Sequence, residues 1–205
     1  MRYPRHFRTH TVRTPDSPNC TIWEAARATT AAPRFFKEIS IGEEGQTKER
    51  FIDARIKCNN PVKEVMEEAR LYFGDDRPVG VLVSIGTGQP GTIGLRKPNW
   101  FQKIVPTQLI DAVVKIATSC ENTADEMESH FKDHPEFYFR YSVTHGAEGI
   151  SLEEWKKMGD LKAHTIAYLQ GPKVAESIDS LVKRLRNKTI HLSDHLLTLS
   201  AICKS

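Results

Sequence analysis

The chain has few of the features that mark secreted or membrane-spanning proteins. Its 205 residues hold four cysteines, scattered singly at Cys20, Cys58, Cys120 and Cys203, without the paired spacing of a zinc site or the density of a disulfide-stapled domain. The longest apolar run, from about Val79 to Ile85, is far too short to span a bilayer. No apolar run follows the basic start, so a secretory signal is not expected. We therefore expect reduced thiols and a cytoplasmic location.

Charge of one sign is not in large excess. Lys and Arg number 29 and Asp and Glu 26, for a net charge of +3, and this is too mild to indicate nucleic acid as a partner. The first residues are rich in arginine and histidine, as in arms that bind anionic lipid or nucleic acid. Tyr3, Phe7 and Val12 interleave with these charges. We expect a surface strand here, with the binding arm as the alternative.

Histidine pairs are the nearest approach to a metal site. His130 with His134, and His191 with His195, each stand four residues apart and could share one face of a helix. Neither pair has the glutamate of the H-E-x-x-H motif, and Pro135 interrupts a helix beside the first pair. Ordinary surface histidines are the preferred interpretation, and we expect neither a metal nor another cofactor.

Helix start signals occur at several places. Thr21 and Glu24 have the spacing of a capping box, while Asn60 suits an N-cap and Pro61 the first helical position. The second helix should place Val62, Val65, Met66 and Ala69 on one apolar face. The predicted helices are Thr21–Ala31, Pro61–Phe73, Pro106–His130 and Lys173–Arg186, with another helical region opened by Ser151 and Glu154 and divided at Gly159-Asp160.

Short strands alternate with these helices. The continuous β-branched run of Val79–Ile85 suits a strand that is buried on both faces of a sheet. The alternation itself favours an α/β layered fold. The predicted strands are Phe35–Ile41, Phe51–Asp53, Val79–Ile85 and Phe137–Val143, with a polar loop over Gly42–Arg50. Residues from Thr189 to Ser205 follow no pattern that predicts an element.

A glycine motif follows the strongest strand. Gly86 to Gly91 reads G-T-G-Q-P-G, a literal G-x-G-x-x-G at the place where a dinucleotide would meet a helix. The next residues contain Gly94 and Pro98 and have no helical period. A glycine turn leaving a buried strand is therefore preferred, and nucleotide binding is kept as the least favoured function.

Three further blocks occur in one order along the chain. Ile22 to Pro33 reads I-W-E-A-A-R-A-T-T-A-A-P, Phe51-Ile52-Asp53 is followed by Asn59-Asn60-Pro61, and Val83 to Gly88 reads V-S-I-G-T-G. They resemble the A-x-R-A-T-S-A-A-P, F-x-D-G-G/A to N-N-P, and S-L-G-T-G blocks of patatin-like lipid acyl hydrolases. The tract from Gly149 to Tyr168 resembles the ending of fungal patatin-like proteins. The chain thus resembles the C-terminal part of a patatin-like phospholipase.

The resemblance implies an esterase or phospholipase with a mostly parallel sheet. In such an enzyme a serine attacks the acyl carbonyl and one aspartate, without histidine, takes the serine proton, and Asp53 occupies that position. A carboxylate at a strand end is able to act as general base in this way. Without the resemblance, Asp53 reads as a structural cap or ion-pair partner. Ala54 and Arg55 replace the family's glycines, and Arg55 would make Asp53 a weaker base if the two share a face.

The larger departure is the missing nucleophile. No serine of the chain stands in G-x-S-x-G, and no glycine-rich segment resembles an oxyanion loop. We expect both to lie before residue 1, so that residues 1–150 form the C-terminal part of a patatin-like domain and residues 151–205 a helical extension. The chain alone should be inactive. If completed, it would take a lipid or acyl ester substrate and contact the membrane peripherally; a noncatalytic lipid- or protein-binding module is the alternative.

Overall fold

Two compact units make up the chain, Met1–Gly74 and Asp75–Ser205. The computed structural model describes most of the first unit and a smaller share of the second. The predicted domain boundary near residue 150 stays a prediction. The described residues are 4–12, 17–32, 36–43, 45, 47–54, 58–86, 88, 120–144, 155–186 and 198–200.

The first helix, α1, spans Ile22–Thr29 and begins as its capping box predicts. The Thr21 hydroxyl accepts from the Glu24 amide at 3.4 Å, and the Glu24 carboxylate accepts from the Thr21 amide at 2.8 Å. The Thr21 amide and the Thr21 hydroxyl both donate to the Glu24 carboxylate, and these two hydrogen bonds lower the pKa of Glu24, because they favour its charged form. The helix ends two residues before the predicted Ala31.

An antiparallel hairpin follows, with β1 at Ile39–Ile41 and β2 at Glu49–Phe51. Ile39 pairs with Phe51, so the ladder stops where β1 begins. The prediction of a strand over Phe51–Asp53 is therefore wrong beyond Phe51: Ile52 and Asp53 have no partner position on β1. The strand predicted from Phe35 is also too long, because residues 36–38 lie outside β1.

The core of this unit joins the hairpin to α1. Ala28, Ile41 and Phe51 are buried together, and Phe7 packs against them with its ring 5.3 Å from that of Phe51. The surface strand expected near the N-terminus is not formed, because residues 4–12 have no strand pairing. Burial of Phe7 fixes this segment instead, as the transfer of an aromatic ring from water is favourable.

Helix α2 spans Val62–Phe73. Its predicted end at Phe73 is confirmed, and Gly74 stops it with a φ of 87° that favours glycine. Pro61 rather than Asn60 occupies the N-cap, without a side-chain cap. Val62 and Met66 are buried as predicted, but Val65 is 52% exposed.

Three basic side chains of the N-terminal segment hold it to α2 through one carboxylate. Arg8 donates to both oxygens of Glu68, through Nε and, at 2.7 Å, through Nη2. His6 and His10 approach the same carboxylate at 3.1 and 3.3 Å. The hydrogen bonds from Arg8 lower the pKa of Glu68 to about 2, and the charge of Arg8 adds to the effect.

The second unit contains a parallel pair, β3 at Leu82–Ile85 and β4 at Tyr138–Tyr141. Leu82 pairs with Tyr138 and Ile85 with Tyr141, so the strands end at the same edge. Parallel pairing is consistent with the predicted α/β class. Burial of β3 on both faces is wrong, because Ile85 is 79% exposed. The prediction rested on residue type, which does not say what covers a strand.

The second unit also contains helices. Helix α3 includes residues 120–130, and its predicted end at His130 is confirmed; the positions predicted helical before residue 120 lie outside the described residues. A short 3-10 helix at Trp155–Lys157 leads into α4 at Met158–Leu169, which runs through Gly159-Asp160 without division. Helix α5 spans Pro172–Arg186, close to its prediction.

Arg184 of helix α5 contacts residues that precede the two strands. The Arg184 guanidinium lies 3.7 Å from the centre of the Phe137 ring, and its Nε donates to the Gly80 carbonyl at 2.7 Å. Such cation–π and hydrogen-bond contacts restrain a long side chain more than a surface ion pair does. Among the helices that are described, none is both long and apolar enough to span a bilayer.

The pKa of Glu68 makes a prediction about acid stability. Because this pKa lies below its usual 4.5 when the chain is folded, the stabilisation is fully present above about pH 4.5 and is lost as pH falls toward about 2. Glu68→Gln should therefore lower the free energy of unfolding most at pH 7, with a difference that shrinks below pH 4. Urea unfolding from pH 3 to 7 measures this, with Glu67→Gln on the same helix as control. Equal pH dependence of Glu68→Gln and the unsubstituted chain would contradict it.

Candidate functional site

Asp53 lies two residues beyond β2, where the chain leaves the hairpin. Its backbone amide donates to the Ala31 carbonyl at 3.0 Å, and Asp53 is half-buried. Ala31 and Ala32 are almost completely buried, at 1% and 7% exposure. The Asp53 backbone is therefore held by a buried carbonyl, in a closely packed part of the unit.

This contact brings together two of the sequence blocks that carry the resemblance. Ala31, from the block that follows α1, accepts a backbone hydrogen bond from Asp53, the last residue of the F-I-D block. A second bond joins the Cys58 amide to the Ala54 carbonyl at 2.8 Å. Asn60 is itself buried. Arg55, the expected neighbour of Asp53, lies outside the described residues.

Cys58 follows Asp53 by five residues and carries a thiol. Burial is the main cause that raises the pKa of the Cys58 thiol, and the charge of Glu64 raises it further. A thiol in that state is mostly protonated and reacts poorly. Cys20, Cys58 and Cys120 are free thiols, as expected.

The third block ends β3 in the other unit. The Gly86 amide donates to the Tyr141 carbonyl at 2.7 Å. Below it, Arg140 donates to the Ser84 hydroxyl at 2.8 Å and to the Cys120 sulfur at 3.4 Å. Ser84 is buried and accepts from a guanidinium; it is placed to hold Arg140 and not to attack a substrate.

Gly86 is packed closely against these polar groups. A Cβ atom at Gly86 would lie 2.6 Å from the Ser142 hydroxyl and 2.7 Å from Nη2 of Arg140. The glycine is needed for this close approach, which fits the interpretation of a turn leaving a strand. Of the glycine motif, Thr87 and residues 89–91 lie outside the described residues. Sequence reasoning did not find Arg140, because nothing local marks its partners.

Metal ligation finds no support in the described ranges. No group of three His, Cys, Asp or Glu side chains there could hold an ion. The His130 ring packs edge-on against Phe131, and the His134 ring against Phe137. These are the contacts of ordinary structural histidines. His191 and His195 lie outside the described residues.

Comparison with known proteins gives a consistent set of relatives. Phospholipase A I of Arabidopsis thaliana is 31% identical over 134 residues, and intracellular phospholipase A2 of Caenorhabditis elegans is 28% identical over 194 residues. Human calcium-independent phospholipase A2-gamma is 27% identical over 151 residues. These alignments cover 65%, 86% and 73% of this chain. The relatives are phospholipases.

The similarity supports the resemblance to patatin-like phospholipases. The chain spans only 9%, 17% and 18% of the length of these three relatives. No family model matches the chain, and no solved structure matches it. The similarity does not distinguish a fungal type.

The packing of Gly86 makes a prediction about the glycine turn. Gly86→Ala should destabilise the chain by about 1–3 kcal/mol, because the new methyl group forces Arg140 or Ser142 to move. Gly80→Ala is the matched control, since a Cβ at Gly80 meets nothing within 4 Å. Thermal unfolding of both variants measures the difference. An equal melting temperature for the two variants would show that the turn has room for a side chain.

Proposed function

We propose that this chain is part of a patatin-like acyl hydrolase in which Asp53 is the general base. In this proposal the layered patatin fold is completed by residues outside the 205, which supply the nucleophilic serine and the oxyanion loop. The observation that carries the proposal is the hydrogen bond between the Asp53 amide and the Ala31 carbonyl. It joins two family blocks around the one carboxylate that the resemblance assigns to catalysis.

The reaction follows from what a fixed carboxylate is able to do. Asp53 would accept the proton of a serine hydroxyl while the serine oxygen forms a bond to the acyl carbon. The proton would then pass to the leaving alcohol as the ester bond breaks. A water molecule, activated by the same carboxylate, would hydrolyse the acyl-serine and restore both groups. A rigid backbone attachment favours this role, since a base must be held in position.

The proposed substrate is a phospholipid or another lipid acyl ester, at a membrane surface in the cytoplasm. The names of the relatives support the lipid class. The alternative is a noncatalytic module that binds lipid or a protein partner. The absence of a G-x-S-x-G segment from these 205 residues favours that alternative for the chain by itself.

A chimera tests the role of Asp53. In the chimera, this chain replaces the matched segment of human calcium-independent phospholipase A2-gamma, and the rest of that protein is kept. The chimera should hydrolyse phospholipid acyl esters, and Asp53→Asn should lower kcat by about 100-fold or more, because general-base catalysis is removed. Glu38→Gln is the control; Glu38 pairs with Arg50 on the hairpin. Full activity of the Asp53→Asn chimera would refute the proposed role.

The isolated chain makes a separate prediction. Purified protein of residues 1–205 should hydrolyse acyl esters no faster than buffer, because its sequence contains no G-x-S-x-G serine. A fluorogenic ester assay over a range of acyl lengths measures this. Hydrolysis that is abolished by Asp53→Ala would reveal a nucleophile within the chain and overturn the expectation of inactivity.

A further inference from the structure

Arg140 lies near the carboxyl ends of the two parallel strands and faces neutral groups. It stands opposite Ser84 in the register of β4 with β3, one residue before each strand ends. The half-buried guanidinium donates to the Ser84 hydroxyl at 2.8 Å and to the Cys120 sulfur at 3.4 Å. Among the described residues, no carboxylate lies within ion-pair distance of it. A partly buried charge that meets only neutral groups favours an anionic partner.

Two serine hydroxyls lie beside this guanidinium. Ser84 and Ser142 are both buried. The Ser142 hydroxyl and Nη2 of Arg140 lie 2.6 and 2.7 Å from one point, the position that a Cβ atom would take at Gly86. The two donors are therefore near neighbours, and a single small oxyanion is able to accept hydrogen bonds from both.

Tyr138 adds a donor that has no acceptor. It precedes Arg140 by two residues on β4, and side chains two residues apart lie on the same face of a strand. Its side chain is buried, and its hydroxyl makes no hydrogen bond to a described residue. Burial is the main cause that raises the pKa of Tyr138, while the Ser84 hydroxyl and the charge of Arg140 are near enough to act against the rise. Buried polar groups without a partner are rare, so this one indicates a missing acceptor.

Donors thus outnumber acceptors in this part of the second unit. We call the group the Arg140 cluster; its members are Ser84, Cys120, Tyr138, Arg140 and Ser142. A guanidinium has more N–H groups than the two that Ser84 and Cys120 accept from. The carboxyl ends of parallel strands are also the place where α/β proteins commonly bind ligands.

Other ligand classes fit the Arg140 cluster less well. A metal ion would be repelled by the guanidinium, and the described ranges hold no group of three metal-ligating side chains. A neutral ligand would leave the charge of Arg140 uncompensated. A dinucleotide on the glycine motif would need free backbone amides, but the Gly86 amide already donates to the Tyr141 carbonyl.

We propose that the Arg140 cluster binds an oxyanion, a phosphate group above all, through the Arg140 guanidinium and the Ser142 hydroxyl. Phosphate is favoured over a carboxylate, because it carries more negative charge and more acceptor oxygens. The phosphate belongs either to a free inorganic ion or to the headgroup of a phospholipid. Binding at this site does not depend on the role proposed for Asp53.

Titration of the full 205-residue chain with inorganic phosphate at constant ionic strength tests the proposal, using NMR or calorimetry. Phosphate should bind saturably, and acetate and chloride should bind about tenfold more weakly or not at all. Arg140→Gln should weaken phosphate binding by about tenfold or more, and Ser142→Ala by about threefold. Lys162→Gln is the matched control, since it removes the same charge from an exposed position on α4.

Two gentler variants keep the test decisive if Arg140→Gln does not fold. Arg140→Lys keeps the charge and removes the planar fork, and Tyr138→Phe removes only the hydroxyl without a partner. Each should weaken phosphate binding by about threefold. Tyr138→Phe should do so without lowering Tm in phosphate-free buffer, because no hydrogen bond within the described residues is lost.

Vesicles distinguish the two sources of the phosphate group. Sedimentation with phosphatidic acid vesicles that is reduced by Arg140→Lys and not by Lys162→Gln identifies a lipid headgroup, while binding of inorganic phosphate alone identifies the free ion. Equal binding of phosphate and chloride would reduce the effect to charge screening and overturn the proposal. So would undiminished phosphate binding by Arg140→Lys, Tyr138→Phe and Ser142→Ala, or the absence of saturable binding to a chain with normal circular dichroism.

Discussion

One backbone hydrogen bond, from the Asp53 amide to the Ala31 carbonyl, positions the proposed base of this chain. It requires α1 to end where it does, because the Ala31 carbonyl lies just beyond the last helical residue. It also requires the hairpin to end at Phe51, so that the Asp53 amide is not used in the ladder. Backbone groups of buried turns must find partners somewhere. The Asp53 amide pairs with the Ala31 carbonyl, and this bond also fixes the position of Asp53 in the unit.

Elements with strong local signals could be predicted from the sequence. The capping box of Thr21 and Glu24 gave the start of α1, and the apolar period of Lys173–Arg186 gave nearly all of α5. The order of the three blocks also indicated Asp53 as the candidate general base. These signals act within a few residues of chain, where side-chain spacing and backbone geometry are directly linked.

Features that depend on distant partners could not be predicted. Strand β2 ends at Phe51 because Phe51 pairs with Ile39, the first residue of β1, which lies twelve residues earlier in the chain. The contact of Arg8 with Glu68 joins residues 60 positions apart, and it turned an expected surface strand into a segment held on α2. The exposure of Val65 and Ile85 has the same origin, since hydrophobic residue type does not reveal which face is covered.

The two acidic centres of the first unit are suited to different work. Glu68 accepts hydrogen bonds from Arg8, and its pKa of about 2 makes it a poor proton acceptor at neutral pH. Glu68 is therefore a structural anchor, and a general base has to be sought elsewhere in the unit. Asp53 is fixed through its backbone amide, which donates to the Ala31 carbonyl. A main-chain hydrogen bond of this kind fixes the position of the residue, and a fixed position is what the proposed general base requires.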